Sequence, residues 1–409
     1  MIFKKMYNDF SNPLSKPHAP YLLHFVYSAE QSLDIGINNH MIENKSQYNS
    51  NANDDERHDV LFYRKREGVY GCNIWKVPEL KAPNLNEFKK SKAKKKTIVF
   101  EGLAFDDPQV YWKSIRKESL FRDDCYELWN HKWIGLDVED LWNSYFERIA
   151  SNIQVFDSYK EHIRNLKEEL ECDNIVVPLQ YSETYHNSGL LNDDDIMFVN
   201  NNLPINIDLF KPYSNFEDRD IDCFISGADF AGVYPFRYIA RKVMENNTRF
   251  WKTFDNSNIY REYLQKRHAW TKKFDNDVQL GVRTEYSDFF LDQLFGDLDS
   301  NQYNDYLMLL KRSKIVIGCS SVFGYPLKKY IEAMGMGCVV VGELPKFANK
   351  YGIIDGLHMV VCKHDEIEHT INSLLNDKDR MDFISKNARN LIDERYSSFA
   401  SAKELLKSL

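Results

Sequence analysis

The 409-residue sequence has no long apolar run and only seven cysteines. It contains no stretch of 18 or more apolar residues, and its first nine residues lack the apolar core of a signal peptide. The sequence therefore predicts a cytoplasmic protein without a membrane-spanning helix. The cysteines are odd in number and form no close pair, which favours reduced, mostly buried thiols over a disulfide framework or a zinc site.

The sequence also lacks a net positive charge, because 61 acidic residues outnumber 53 lysines and arginines and give a formal net charge of −8. This charge argues against broad nucleic-acid binding. One basic run stands out, from Lys89 to Lys96. A solvated loop is the simpler interpretation of this run, and attraction to anionic lipid, giving peripheral contact with a membrane, is the alternative. Aspartate-rich strings such as Asp193 to Asp195 are typical of caps and loops, so no metal site is predicted.

The length and the apolar content predict two folded domains. A chain of 409 residues exceeds a usual single domain, and 43% of its residues are hydrophobic. From residue 221 onward, short apolar runs alternate with helical patterns, which is typical of a doubly wound parallel sheet. The strands predicted there cover residues 221–226, 249–254, 278–282, 314–318, 338–341 and 358–362. Helices are predicted at 235–246, 303–312, 365–375, 378–394 and 398–409.

The first half predicts a second α/β domain with a less regular pattern. Its predicted strands cover residues 21–27, 60–63, 97–101, 153–156, 175–177 and 196–199, and its predicted helices lie near 138–149 and 159–170. Turn-forming residues and two prolines mark residues 200–212 as the linker. The predicted domains are therefore 1–205 and 206–396, followed by a last helix at 397–409.

The most informative stretch is 325–341, which predicts a helix, a glycine turn and a buried strand. Pro326 suits the first helical position, and Gly335 and Gly337 permit the turn. Upstream, the strand 314–318 leads into a polar loop, 319–324. In such units ligands bind beyond the carboxyl ends of the strands, where a helix start offers free N–H groups to a phosphate.

This unit places candidate ligand contacts along one helix. A diphosphate is expected near Ser320, Ser321 and Gly324, at the helix start. Lys328 and its neighbour Lys329 are one turn before Glu332 and suit neutralisation of phosphate charge. Glu332 is about six residues into the helix, or about 9 Å along its axis, which suits hydrogen bonds from a ribose.

The sequence from Glu332 to Gly337 resembles the donor-binding element of GT-B glycosyltransferases, especially families 1 and 4 and the spore-maturation-protein-like transferases. The linker also resembles the GT-B connection, at Ile207, Asp208, Phe210 and Pro212. The resemblance implies two Rossmann-like domains facing a cleft, a last helix that crosses back to the first domain, and a role for Glu332 in binding the nucleotide ribose.

One position departs from the family 4 pattern. Many family 4 enzymes have a second glutamate eight residues before the first, where it touches the donor sugar, and this chain has Gly324 there. The spore-maturation-like branch therefore fits better, and the contacts to the donor sugar stay open.

A second anion cradle is predicted after the strand at 221–226. That strand ends at Ser226 and Gly227, and the next helix begins with Pro235, Phe236 and Arg237. In the transferases that this chain resembles, a glycine and a basic side chain at these places face the donor diphosphate, which assigns that role to Gly227 and Arg237. The alternative is that Gly227 only makes a turn and Arg237 is surface charge.

Together these features predict a glycosyltransferase of polysaccharide biosynthesis that uses a nucleotide-diphosphate sugar and a glycan, lipid-linked or protein acceptor. Arg237 and Lys328 are the expected leaving-group stabilisers, with no metal and no further cofactor. The resemblance to family 4 implies retention of the anomeric configuration. No base is assigned among His24, His131 and His186. The alternatives are an epimerase or glycerophosphotransferase of the same fold, and a non-catalytic nucleotide-sugar or glycan-binding protein.

Overall fold

The structure is a computed structural model, and it describes part of the chain. The described residues are 2–4, 37–38, 58–65, 89–90, 92–102, 122–136, 153–179, 194–200, 205, 207, 210, 216–227, 231–245, 251–253, 306–324, 326–397, 399–401 and 403–404. Within them, two parallel sheets and their helices form a mixed α/β structure. No helix in these ranges combines the length and the apolar character needed to cross a membrane.

The first sheet has six parallel strands in the order β2-β1-β3-β4-β5-β6. They are β1 (Ile2–Lys4), β2 (Ile37–Asn38), β3 (His58–Lys65), β4 (Lys95–Gly102), β5 (Asn174–Leu179) and β6 (Met197–Asn200). The strands predicted at 60–63, 97–101, 175–177 and 196–199 are confirmed. The strand predicted at 21–27 and the helix predicted at 138–149 lie outside the described residues.

Two helices accompany this half, α1 (Cys125–Trp129) and α2 (Ile153–Leu170). The prediction of a strand at 153–156 is wrong, because those residues form the first turn of α2. Further along α2, the buried residues Ile163, Leu166 and Leu170 recur every three or four positions, which is helical spacing. A four-residue segment with three apolar residues at a helix start cannot be distinguished from a strand by its length alone.

The basic run ends inside the first sheet. Lys95 is the first residue of β4, and Lys96 is only 6% exposed. The Lys96 ammonium donates a hydrogen bond to the Leu170 carbonyl at 2.9 Å. The backbone N–H of Lys96 donates to the Asp173 carboxylate at 2.6 Å. Lys96 therefore ties β4 to the end of α2, and the membrane-facing interpretation of the run does not extend to it.

The second sheet has five parallel strands in the order β11-β10-β9-β7-β8. They are β7 (Ile221–Ile225), β8 (Trp251–Thr253), β9 (Ser313–Gly318), β10 (Val339–Gly342) and β11 (Val360–Val361). The helices are α3 (Pro235–Glu245), α4 (Lys328–Gly335), α5 (Ile367–Leu375) and α6 (Lys378–Leu391), followed by a π-helical turn (Ile392–Tyr396). A short helical segment at 306–312 precedes β9. The predicted strand at 278–282 lies outside the described residues, and the other predicted elements up to residue 394 are confirmed within a few residues.

Both faces of the second sheet are buried. Val316 and Val340 belong to one core, with α4 and α6, whereas their neighbours Ile315 and Val339 belong to the other, with α3 and α5. Alternate residues of a strand point to opposite faces. Continuous apolar strands are therefore explained by helices on both sides of the sheet.

The described residues of the predicted linker include two that pack against the second sheet's helices. Ile205 and Phe210 are each 1% exposed and belong to the core that contains α4. Gly335 makes this possible, since a Cβ there would lie 2.6 Å from the Ile205 Cδ1 atom. Ile205 also donates its N–H to the Tyr396 carbonyl at 2.8 Å. Of the predicted last helix, the structure describes helical residues at 399–401 and 403–404.

Candidate functional site

The candidate site lies where the strand order of the second sheet reverses. Among the described strands, the chain runs from β7 outward to β8, then returns to the other side of β7 with β9, β10 and β11. Helix α3 follows β7, and helix α4 follows β9. In open α/β sheets ligands bind beyond the carboxyl ends of the two strands at such a switch point. Here those ends are followed by Ser226 and Gly227 on one side and by residues 319–324 on the other.

Two cationic side chains converge on Gly227. A Cβ built on Gly227 would lie 2.6 Å from Arg237 Nη1 and 2.7 Å from Lys329 Nζ. Gly227 also has a φ of +110°, a conformation that side chains disfavour. The Lys329 ammonium donates a hydrogen bond to Ser226 Oγ at 3.0 Å, so a side chain from α4 crosses to the end of β7. Glycine at this position therefore keeps open the space against which both cations lie.

Two arginine side chains lie near Lys329 and affect its pKa. Burial, together with Arg237 and Arg241, lowers the pKa of Lys329 to about 7, while Glu332 opposes this shift. Arg241 Nη2 donates to the Gly227 carbonyl at 2.7 Å. Burial is the largest cause of this shift, and the two arginines add a positive local potential that lowers the pKa further. Such a potential stabilises a bound polyanion, and a diphosphate has the matching charge.

Glu332 lies one turn further along α4. It is 5% exposed, and its Oε2 atom accepts a hydrogen bond from the Tyr306 hydroxyl at 2.9 Å. The Lys329 ammonium is 5.7 Å from the centroid of the same tyrosine ring. The structure therefore brings the predicted ribose-binding carboxylate close to the cations at Gly227.

The sequence predicted Lys328, together with Arg237, as a leaving-group stabiliser, whereas the geometry brings Lys329 to Gly227. Lys328 begins α4, and burial lowers its pKa while Glu332 raises it. Adjacent helical residues point about 100° apart, so only one of two neighbouring lysines faces a given site. The rotation of α4 about its axis, which the sequence does not specify, makes this choice. The role of Lys328 stays a prediction.

The loop that follows β9 is held by protein partners. Ser320 and Ser321 are at most 1% exposed. The Ser320 N–H donates to Glu343 Oε2 at 3.0 Å, and the Phe323 N–H donates to Ser321 Oγ at 3.2 Å. These groups are therefore engaged in shaping the loop, and diphosphate binding by Ser320, Ser321 or Gly324 stays a prediction.

Gly324 occupies a crowded position at the end of this loop. Its φ is +74°, and a Cβ there would lie 2.7 Å from Lys346 Cγ and 2.9 Å from Arg122 Cγ. A glutamate at this position would require its neighbours to move. The absence of the second family 4 glutamate is therefore matched by the local packing, in which the side chains of Lys346 and Arg122 would have to shift to admit one.

A buried ion pair, which sequence reasoning missed, holds the same loop. Arg122 Nη1 lies 2.6 Å from Glu343 Oε1 and donates to Ser320 Oγ at 2.6 Å, and the Arg122 guanidinium also binds Asp124. Burial raises the pKa of Glu343, and Arg122 opposes that shift. Glu343 directly follows β10, so its place at a strand's carboxyl end was a usable signal. Nothing in the sequence pointed to Arg122, which precedes α1 in the other half of the chain.

The structure describes one of the three candidate histidines and bears on metal binding only within the described residues. His131 stacks edge-on against His364, with ring centroids 5.2 Å apart, and burial lowers its pKa. His24 and His186 lie outside the described residues. Within the described ranges, no group of three or more histidine, cysteine, aspartate or glutamate side chains is arranged to hold a metal ion.

Comparison with known proteins gives matches among solved structures only. No family model matches the chain, and no curated protein does. Anabaena Alr3699/HepE in complex with UDP aligns with a TM-score of 0.44 at 11% identity, over 100% of this chain and 98% of that one. A glycosyltransferase from Rickettsia africae ESF-5 aligns with a TM-score of 0.43 at 12% identity, over 100% and 97%. Sucrose-phosphate synthase (tll1590) from Thermosynechococcus elongatus gives 0.44 at 11% identity, over 100% and 98%. All of these TM-scores are below 0.5.

Proposed function

We propose that the chain is a GT-B glycosyltransferase that transfers a sugar from a nucleotide-diphosphate sugar to a glycan, lipid-linked or protein acceptor. The observation that carries the proposal is the convergence of Arg237 and Lys329 on Gly227, with the Glu332 carboxylate one turn away on α4. The motif from Glu332 to Gly337, which resembles the donor-binding element of such enzymes, supports the same conclusion.

In this proposal the diphosphate lies against Gly227, and Glu332 accepts hydrogen bonds from the ribose. Glycosyl transfer expels a nucleoside diphosphate, so charge develops on the leaving phosphate in the transition state. Arg237 and Lys329 are already in place there, and preorganised cations in a water-poor site stabilise such charge strongly. These groups can supply that stabilisation without a metal ion. Retention of the anomeric configuration and polysaccharide biosynthesis are the further expectations of the resemblance.

A binding screen tests the donor site. Thermal unfolding is followed with UDP, GDP, CDP and their sugar conjugates, since a ligand that binds only the folded state raises its stability. Calorimetry on the responding nucleotide then compares the wild type with Glu332→Gln and Lys329→Met. Each is expected to bind about 10- to 150-fold more weakly, because a hydrogen bond to a charged group is worth about 1.5 to 3 kcal/mol.

The matched control is Lys378→Met. It removes an exposed lysine that is paired with Glu217, and neither residue belongs to the candidate site. It should bind like the wild type. Unchanged affinity in both site variants would show that the donor binds elsewhere. Added EDTA should leave binding and turnover unchanged if no metal takes part.

Because Gly324 stands where many family 4 enzymes have a glutamate, a non-catalytic protein that binds the nucleotide-sugar is an alternative function. The two functions differ in turnover. A transferase is expected to hydrolyse its donor slowly without acceptor, and Glu332→Gln should slow that reaction. Tight binding of a nucleotide-sugar with no hydrolysis and no transfer to any acceptor would favour the binding protein. Release of an epimerised sugar would favour an epimerase.

A further inference from the structure

Tyr306 contacts both of the charged residues that α4 contributes to the site. It belongs to the helical segment at 306–312, on the chain before β9. Its hydroxyl donates to Glu332 Oε2 at 2.9 Å, and its ring centroid lies 5.7 Å from Lys329 Nζ. The ring also packs against Phe224 of β7, with centroids 6.2 Å apart. One side chain therefore links β7 with two residues of α4.

These contacts restrict the orientation of the Glu332 carboxylate. A carboxylate has about four acceptor positions, of which Tyr306 uses one. A hydrogen bond to an ionised carboxylate is shorter and stronger than one between neutral groups, so it holds the side chain in one rotamer. The face of the aromatic ring attracts the Lys329 ammonium, which keeps that cation beside the same carboxylate.

We propose that Tyr306 is a positioning residue that orients Glu332 toward the vicinal hydroxyls of a ribose, and so makes the site discriminate ribonucleotides from 2′-deoxyribonucleotides. This inference rests on the proposed function. A carboxylate can accept from both hydroxyls of a ribose only when its plane is set correctly. A 2′-deoxyribose offers one hydroxyl fewer, so its binding depends less on that orientation.

The test compares UDP with 2′-dUDP, and GDP with 2′-dGDP, by calorimetry on the wild type and Tyr306→Phe. The wild type should bind the better ribonucleotide about 10- to 150-fold more tightly than its deoxy partner, as expected for one charged hydrogen bond. Tyr306→Phe keeps the ring but loses the hydroxyl. Its ribose preference should fall to about threefold or less, while its affinity for the deoxynucleotide stays within about threefold of the wild-type value.

Two further variants complete the cycle. Glu332→Gln should also lose most of the preference, and adding Tyr306→Phe to it should cause no further loss, because the tyrosine acts through the glutamate. Tyr238→Phe removes a hydroxyl from a half-buried tyrosine of α3 whose ring lies 5.7 Å from Lys242, and it should behave like the wild type. A merely structural role for Tyr306 would weaken both nucleotides equally.

The possible failures are distinguishable. If UDP or GDP binds and Tyr306→Phe keeps the wild-type ribose preference, the positioning role is overturned and the proposed donor site stands. If Glu332→Gln also keeps that preference, the ribose lies elsewhere. If no nucleoside diphosphate binds the wild type, the proposed function fails and the role of Tyr306 fails with it.

Discussion

If the proposed donor site binds a nucleotide, the pKa of Lys329 should make that binding depend on pH in a defined direction. In the unliganded protein this pKa is about 7, because burial and the cations Arg237 and Arg241 outweigh the attraction of Glu332 and a small favourable contribution from Cys319. A diphosphate placed at Gly227 favours the charged ammonium and therefore raises this pKa. Binding above pH 7 must then take up a proton, so affinity should fall as the pH rises.

The magnitude follows from that pKa. At about pH 7 half of the lysine is charged, and at about pH 8.5 only about 3% is charged. If the complex keeps the lysine fully charged, UDP affinity should fall about 15-fold between these two pH values, or about 1.6 kcal/mol. The second phosphate pKa of a nucleotide is near 6, so the ligand itself stays ionised over this window.

Calorimetry of UDP binding across this range, in buffers of different ionisation enthalpy, measures both the affinity and the proton uptake. Lys329→Met should bind more weakly at about pH 7 and lose the slope. Lys329→Arg should also lose the slope, because a guanidinium stays charged throughout. A wild-type affinity that is flat from about pH 7 to 8.5 would refute the reasoning. A slope that disappears in Lys328→Met but persists in Lys329→Met would transfer the role to Lys328.

Three other predictions concern stability. Arg122→Met should lower the free energy of unfolding in urea by about 3 to 5 kcal/mol, because it leaves the Glu343 carboxylate buried without its cation, and the double variant with Glu343→Leu should recover most of the loss. A double variant as unstable as the single one would contradict that explanation. Gly335→Ala should lower the free energy of unfolding by about 1 to 3 kcal/mol, because the added Cβ overpacks against Ile205. The loss should be smaller in an Ile205→Val background, which removes the clashing Cδ1 atom. Purely additive losses in the double variant would contradict this explanation. Burial raises the pKa of Cys319 to about 12 from 9.0. Its contribution to stability is therefore complete below about pH 9 and is lost as the pH rises toward 12. In a Lys329→Met background, Cys319→Ala should make the fall in the free energy of unfolding at alkaline pH shallower than it is in Lys329→Met alone.

Much of the second sheet could be predicted from the sequence. Strands β9 and β10 have helices on both faces, so residues 315–317 and 339–341 read as uninterrupted apolar runs, and Gly337, with a φ of +73°, follows the end of α4 as the glycine pattern indicated. The first half was harder because its signals are weaker. The apolar residues at 153–156 imitate a strand, and helical spacing becomes visible only further along α2.

The candidate site was predictable in its residue types but not in its exact membership. The sequence placed Gly227 at the end of a strand, Arg237 at the start of the next helix and Glu332 inside a later helix, and the structure brings Gly227 and Arg237 together. The choice between Lys328 and Lys329 depends on the rotation of a helix about its axis. Arg122 reaches Glu343 from more than 200 residues away in the sequence, and no local pattern encodes such a contact.

The hydrogen bond from Ile205 to Tyr396 has a consequence for how the second half of the chain could be rearranged. Ile205 N and the Tyr396 carbonyl are 2.8 Å apart, so the segment between them begins and ends at one place. Segments with adjacent ends tolerate circular permutation. The exposed turn at Ile354 to Gly356 is a natural position for new termini, since a Cβ at Gly356 would meet no atom within 4 Å. In topological terms, the described chain enters and leaves the second sheet and its helices at a single point.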